Sequence, residues 1–329
     1  MDALYKSFPE DSKEFPWDER ILEDFKKLIN ENGLKCRMDD TFLLGILRAR
    51  KFNLERSFQL LKNYYTRRNE HPSFFKNLLP SKLQRVLSLN YIKVIPKPDQ
   101  NGRVIVILEA ETWDPSETTA LDLYRVVFLY IDLMLNLHRL QENGVVAIIN
   151  ARGTTIGQFL QFTPKFISNI VTLVVRDAYQ LRLKELHFVN INPIVKVILS
   201  ILIPFLPVKI RKRLFVHTGV TTLRDFVNPE YLPEAYGGTL PDFDPNEFVD
   251  VVKQNEDFFR ENEESLKIYN EAVQQRFSEG SFKYIDPDGV NYEEKLIQES
   301  EEKFQMFKED PENFTKFVQE SADDEVVHL

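Results

Sequence analysis

The segment from Asn192 to Arg213 limits the choice of fold more than any other, because it joins an almost wholly apolar stretch to a cluster of cations. Read as a helix from Pro193 to Ile203, it has polar side chains only at Lys196 and Ser200, on one narrow stripe. It is too apolar for an ordinary surface helix and too short to span a bilayer, which takes about 20 apolar residues. We therefore predict a helix that apolar groups cover on more than one side. Two interpretations stay open: a helix buried between core layers, or a movable gate between an apolar ligand and a membrane.

The charge of the chain is divided unevenly. Residues 241–329 hold 25 carboxylates and 9 cations, which leaves 26 and 33 of the totals of 51 and 42 for residues 1–240. The split predicts a domain boundary between Pro241 and Pro245, with a basic body suited to anionic surfaces and an acidic tail. Nucleic acid is not an expected partner, because the whole chain has a net charge of −9 and no motif that reads bases.

Hydrophobic spacing predicts three segments. Residues 1–80 carry three amphipathic helices, for which Asp39 or Asp40 and Asn53 are candidate N-caps, and so predict a helical N-terminal domain. The cations from Arg48 to Lys51 fit a solvated helix end. Residues 246–329 have helical spacing but few apolar residues, which predicts loosely docked helices with partial disorder near residues 286–289 and after Glu320.

The middle segment, residues 81–245, alternates short apolar runs with helical patterns. Strands are predicted at Val104–Leu108, Val145–Ile149 and Leu186–Ile191, with a fourth at Leu214–His217. Helices are predicted between them over residues 121–140 and 164–179. This alternation predicts an α/β domain, with a largely parallel sheet covered by helices.

No residue pattern in the chain assembles a nucleophile, a base and an orienting group, and no phosphate-binding or dinucleotide-binding glycine motif is present. The histidines show no metal-ligand spacing, and Cys36 is the only cysteine. We therefore predict neither catalytic residues nor a metal site, and we take His187 and His217 for structural histidines. The N-terminus lacks a signal-peptide pattern, which favours a cytoplasmic protein.

The positive signal is a pair of cationic groups. Arg182 and Lys184 precede the third strand, and Lys209 and Arg213 follow the apolar helix, with Arg211 nearby. If both groups reach one surface, they form a site for a multiply phosphorylated headgroup. The alternative is scattered solubilising charge.

Five ordered stretches between about residues 18 and 240 resemble one known family. They are DDTFLLGILRARK (39–51), NGRVIVILEAETWDP (101–115), NGVVAIINARG (143–153), LRLKELHFVN (181–190) and LPEAYGG (232–238). Together they resemble the CRAL-TRIO lipid-binding proteins, and within that family the branch of tocopherol transfer proteins, clavesins and cellular retinaldehyde-binding proteins. The resemblance implies a helical N-terminal domain followed by a lipid-binding domain with a helical gate.

The resemblance also implies the functional residues. It places the gate on residues 193–206 and a site for phosphatidylinositol bisphosphate on Arg182, Lys184, Lys209, Arg211 and Arg213. It implies that a hydrophobic lipid, and no other cofactor, occupies a cavity lined by Val127, Ile131, Phe162, Ile170, Leu186, Phe188, Ile194, Ile198 and Leu202. Val127 and Ile131 stand where the tocopherol-binding pattern has small hydroxyl residues, which favours a less polar or differently shaped ligand.

The combined prediction is a non-catalytic carrier that transfers or presents a lipid at phosphoinositide-containing membranes. The ligand would be a retinoid, tocopherol, carotenoid or phospholipid, and the protein would associate reversibly with endosomal or other intracellular membranes. The alternative is a membrane-trafficking adaptor whose acidic tail recruits a protein partner. An enzyme acting on the bound lipid is a distant third.

Overall fold

The computed structural model describes residues 1–9, 14–176, 178–217, 219–277 and 290–313. The chain begins with helices, as predicted, and the side chains of Asp39 and Asn53 cap two of them by accepting backbone N–H groups. The helices of this region are α1 (Asp2–Ser7), α2 (Glu19–Glu31), α3 (Asp40–Ala49), α4 (Leu54–Glu70), α5 (Pro72–Phe75) and α6 (Gln84–Leu87).

A five-stranded sheet forms the centre of the domain, with its strands in sequence order. The strands are β1 (Ile92–Val94), β2 (Val104–Glu109), β3 (Val145–Asn150), β4 (Leu183–Val189) and β5 (Leu214–Val216). Strands β2 to β5 pair in parallel, which confirms the predicted α/β class. The sequence analysis missed β1, a three-residue edge strand that pairs antiparallel with β2.

Helices connect and cover the strands. They are α7 (Ala120–Met134), α8 (His138–Asn143), α9 (Ile156–Phe159), α10 (Pro164–Val174), α11 (Pro193–Phe205) and α12 (Val208–Arg211). The single helix predicted over residues 121–140 is in fact two. The side-chain amide of Asn136 donates to the carbonyls of Asp132 and Leu133, both at 2.9 Å, and such side-chain bonds compete with helix continuation. Helix α10 ends at Val174, before the predicted end.

Three helices follow the sheet domain: α13 (Asn246–Gln254), α14 (Glu256–Phe277) and α15 (Val290–Glu309). The prediction of loose docking is wrong for their described side chains. Val252 and Phe259 are buried in the main apolar cluster together with residues of α2, α3, α4 and α7, whereas Phe304 and Phe307 of α15 are buried in a second cluster with α11. The predicted disorder near residues 286–289 and after Glu320 lies outside the described residues.

The strands alternate their side chains between two different environments. One face carries Ile105, Ile107, Val146, Ile148 and Val189, which pack beneath the irregular segment around Leu223 to Leu240. The other face turns Ile149 and Phe188 toward α10 and α11. Among the described helices, none has the length and apolar character needed to cross a membrane.

Candidate functional site

An apolar cavity lies between the second face of the sheet and the helices that cover it. Its floor is one row of side chains on three adjacent strands, Leu108, Ile149 and Phe188, which the strand register aligns. Strands are spaced about 4.8 Å apart, so this row extends across roughly 10 Å. The cavity has a volume of about 110 Å³.

Helices and loops supply the walls of the cavity. Helix α11 contributes Val195, Ile198 and Leu202, which recur at helical spacing and so lie on one stripe. The rest of the wall comes from helices α7, α9 and α10 and from the segments that precede β1 or follow β2 and β3. Its residues are Tyr91, Ala110, Trp113, Tyr124, Ala151, Thr154, Gln158, Phe162, Ile167 and Ile170. No charged side chain is among these lining residues.

Of the predicted cavity residues, the structure places five on the wall: Phe162, Ile170, Phe188, Ile198 and Leu202. It does not place the other four, Val127, Ile131, Leu186 and Ile194, among the lining residues.

The reasons for these four differences are geometric. Val127 and Ile131 follow Tyr124 by one and two helical turns, so they leave the cavity and pack in the main core cluster instead. Leu186 is on the same face of β4 as Phe188 but two residues, roughly 7 Å, before the floor row. At the start of α11 the wall position belongs to Val195, the residue after Ile194.

Sequence reasoning missed several lining residues. Leu108 and Ile149 could have been found, because each closes a predicted parallel strand on the same face as Phe188. Tyr91 and Trp113 lie in irregular segments with no periodic signal, so their positions depend on the tertiary fold.

The apolar helix α11 is covered on several sides, as its composition predicted. Val195 and Ile198 face the cavity, whereas Val197, Leu199 and Ile201 are also buried. The helix contacts α9 and α10 and, unexpectedly, α15 from the acidic tail. In this structure α11 is thus a buried helix that also forms one wall of a cavity.

Helix α15 packs over α9, α10 and α11 through aromatic side chains. The ring of Phe159 in α9 lies 4.3 Å from the ring of Phe307 and 5.1 Å from that of Phe304, centroid to centroid. Phe159 and Phe307 are completely buried. The contact joins residues about 150 positions apart, so no local sequence pattern predicts it.

The cationic residues form one cluster around Lys184. Burial and the nearby charges of Arg182, Arg213, Arg103 and Lys209 lower the pKa of the Lys184 ammonium. A cation surrounded by like charges is destabilised unless an anion is close. The backbone N–H of Leu186 in β4 donates to the carbonyl of Arg213 at 2.8 Å, so the two groups that flank β4 and α11 in the sequence converge in space.

Arg182 and Arg213 are held by the protein, whereas two lysines of the cluster are not. Arg182 donates to the carbonyl of Glu142 at 2.7 Å, to its carboxylate at 3.2 Å and to the carbonyl of Arg48. Arg213 donates to the carbonyl of Leu183. Lys184 and Lys209 form no ion pair with the residues that the structure describes.

Arg211, the fifth cation of the predicted headgroup site, is the last residue of α12. Its Nε is shielded from solvent and has no hydrogen-bond partner within the described part of the chain.

Charged and polar groups on the opposite face of the sheet are paired. Arg103 bridges Asp99 and Glu185, and Nδ1 of His187 lies 2.9 Å from Nε2 of His217. Burial and the neighbouring His187 lower the pKa of His217 to about 4. These contacts fit the structural role predicted for both histidines. The described residues also contain no cluster of side chains suited to a metal ion.

Comparisons with known proteins agree with this geometry. The CRAL/TRIO domain family matches residues 88–238. Alpha-tocopherol transfer protein-like of Homo sapiens is 32% identical over 261 residues, which cover 78% of this chain and 76% of that protein. Clavesin-1 of Xenopus laevis is 32% identical over 237 residues, covering 71% of each chain. Clavesin-2 of Mus musculus is 30% identical over 274 residues, covering 80% and 83%.

A solved structure is also similar. The crystal structure of Sfh5 matches with a TM-score of 0.43 at 14% identity, over 78% of this chain and 98% of that one. This likeness is too weak to add to the sequence comparisons.

Proposed function

The chain belongs to the CRAL/TRIO domain family, and we propose that it binds an apolar lipid in the cavity and delivers it to membranes that display phosphoinositides. The observation that carries the proposal is the cavity itself. It has no charged lining residue, and one of its walls is the helix α11. Burying a lipid there gains about 25 cal/mol for each Å² of apolar surface removed from water.

The proposed exit route passes α11. This helix separates the cavity from the side of the domain covered by α15, and Pro204 near its end leaves one helix hydrogen bond unmade. We propose that α11 is the gate and that it moves to release the lipid. No catalytic step is part of the proposal.

The cationic cluster supplies the proposed membrane contact. Lys184 and Lys209 have no partner carboxylate among the described residues, and burial together with the neighbouring cations lowers the pKa of Lys184. A bisphosphorylated headgroup would provide a partner anion through charge-assisted hydrogen bonds. The protein would then work in the cytoplasm and attach reversibly to intracellular membranes.

The packing of α15 favours a carrier over an adaptor. An adaptor needs a tail that is free to bind a protein, but Phe304 and Phe307 of α15 are buried against the gate side of the domain. Recruitment by the tail would have to use its exposed side chains or residues outside the described part of the chain.

The first test is extraction and mass spectrometry of lipid from the purified protein, followed by transfer between vesicles. Leu202→Trp enlarges a cavity-facing side chain of α11, and Val208→Trp places the same side chain at a position that is 60% exposed. We expect the first variant to lose lipid binding and the second to keep it. Equal lipid content in both variants would refute the cavity assignment.

A further inference from the structure

Two tyrosine hydroxyls in the cavity wall have no hydrogen-bond partner among the residues that the structure describes. Tyr91 lies directly before β1 and is 7% exposed, and Tyr124 lies in the second turn of α7. The other polar groups of the wall are bonded to the protein. Gln158 donates to the carbonyls of Ala110 and Trp113 at 2.9 and 2.6 Å, and the hydroxyl of Thr154 donates to Ala151 at 2.8 Å.

A ligand that fills the cavity covers both hydroxyls. Most buried polar side-chain atoms have a partner, and a ligand that left one of these hydroxyls unpaired would lose about 1–3 kcal/mol. Burial raises the pKa of Tyr124 to about 12, and burial together with the neighbouring Tyr124 phenol raises that of Tyr91. Both phenols therefore stay protonated at neutral pH and can donate as well as accept a hydrogen bond.

We propose that the ligand has a hydroxyl or carbonyl oxygen at one end, which Tyr91 and Tyr124 bind, and an apolar remainder that points toward α11. The strand order places β1 three strands, roughly 14 Å, from β4 and its Phe188. The α11 end of the cavity presents only apolar side chains, such as Ile198 and Leu202. A carboxylate head group does not fit, since no cation lines the cavity.

This inference rests on the proposed function and narrows its ligand class to neutral lipids with one polar end. The test offers the full-length protein an equimolar mixture of dodecanol and dodecane delivered from cyclodextrin, and quantifies the bound molecules after gel filtration. Tyr91→Phe/Tyr124→Phe removes both hydroxyls and keeps the rings. Tyr130→Phe is the matched control, because this buried tyrosine of α7 packs on Phe248 and does not line the cavity.

We expect the bound ratio of alcohol to alkane to be roughly 3- to 10-fold higher in the wild type and in Tyr130→Phe than in the double variant. An equal ratio in wild type and double variant would overturn the inference and leave the cavity function intact. If the wild type binds neither molecule, the cavity function itself fails.

A different observation, the contact of α15 with the gate side of the domain, supports a second inference. Four buried side chains of α15 recur at helical spacing and so form one stripe: Leu296, Ser300, Phe304 and Phe307. Leu296, Phe304 and Phe307 pack in the cluster that contains α11. The sequence of α15 holds six glutamates and three lysines, whereas Lys209 and Lys212 beyond the end of α11 are exposed.

We infer that α15 and an anionic bilayer compete for the outer side of α11. While α15 is docked, its acidic helix covers apolar surface that a gate must present to lipid, so membrane binding requires its release. The inference predicts that weakening the α15 contact strengthens binding to anionic vesicles, the reverse of what loss of a membrane-binding helix would do.

The test compares Phe304→Ala/Phe307→Ala with Met306→Ala, a change on the same helix at a side chain that is 55% exposed. Ser300→Glu is a second variant that places a charge in the buried stripe and leaves both aromatic rings in place. Binding is measured by cosedimentation with vesicles of phosphatidylcholine alone or mixed with phosphatidylserine, alongside the thermal unfolding of each variant.

We expect the double variant and Ser300→Glu to bind the anionic vesicles at least about fivefold more tightly than the wild type, and Met306→Ala to bind them as the wild type does. A fivefold change in affinity corresponds to about 1 kcal/mol of binding free energy. Unchanged or weaker binding by Ser300→Glu, with cooperative unfolding retained, would overturn the inference.

Discussion

Arg182 and Lys209 belong to one cationic surface, but the fold depends on only one of them. Arg182 donates three hydrogen bonds, to the carbonyls of Arg48 and Glu142 and to the Glu142 carboxylate. It thereby joins the start of β4 to the N-terminal helices. Lys209 is exposed and forms no ion pair with the described residues. Alanine at the two positions should therefore have different consequences.

The magnitudes follow from these contacts. A hydrogen bond to a charged group contributes about 1.5–3 kcal/mol, but the Arg182 side chain is 26% exposed and water can replace part of the loss. We expect Arg182→Ala to lower the unfolding free energy by about 2–4 kcal/mol, and Lys209→Ala to change it by less than about 0.5 kcal/mol. Each variant should also lose about 1 kcal/mol of binding to an anionic membrane, or roughly fivefold.

Urea denaturation and cosedimentation with vesicles containing phosphatidylinositol bisphosphate measure the two effects separately. Arg182→Lys is the matched control, because it keeps the charge but lacks the planar fork that reaches several acceptors. It should retain membrane binding and lose part of the stability. If Arg182→Ala unfolds like the wild type, or if Lys209→Ala is equally destabilised, the division between structural and free cations is refuted.

Three further predictions concern stability. Arg68 is buried and donates to the carboxylate of Asp132 and the hydroxyl of Tyr179, so Arg68→Ala should lower the unfolding free energy by about 3–5 kcal/mol in urea, and a loss below 1 kcal/mol would contradict the pairing. The pKa of His217 falls from 6.5 unfolded to about 4 folded, so the unfolded state binds more protons between these values. The midpoint of thermal unfolding should accordingly decrease as pH is lowered from 6.5 to 4, and less so in His217→Gln. Gly144 has a φ of 84°, and an added Cβ would lie 2.3 Å from the carbonyl oxygen of Arg182. Gly144→Ala should therefore cost on the order of 2–4 kcal/mol, whereas an unchanged denaturation midpoint would show that the turn can relax.

Much of the fold could be predicted from local patterns. The runs Val104–Leu108 and Val145–Ile149 are strands because apolar β-branched residues follow one another between turn signals, and the structure extends each by one residue. Edge strand β1 could not be found in this way, since three residues are too few to show a period. The end of α7 could not be predicted from hydrophobic spacing either, because the contact that ends the helix is made by the side chain of Asn136.

The lining residues of the cavity likewise include some that the sequence predicted and others that only the tertiary fold determines. Ile198 and Leu202 were predicted as lining residues, and both lie on the wall. Val127 and Ile131 occupy the expected helix, but the position of α7 along the sheet decides which of its turns reaches the cavity, and only Tyr124 does. How far a helix is shifted along the sheet depends on how the two pack together. The spacing of apolar residues within one helix does not contain this information.

The sequence by itself predicted a helix from Pro193 to Ile203 with more apolar surface than one contact can cover, because periodicity and composition are local quantities, and the structure extends this helix to Phe205. Only the tertiary structure decided that α15, about 100 residues later, supplies part of the cover. Arg48 shows the same division. Its position at a helix end predicts a solvated cation, yet it is completely buried, with its guanidinium bonded to Gln141 and to the carbonyl of Phe15. Which distant groups compensate a buried charge or an exposed apolar face depends on contacts that form only when the whole chain has folded.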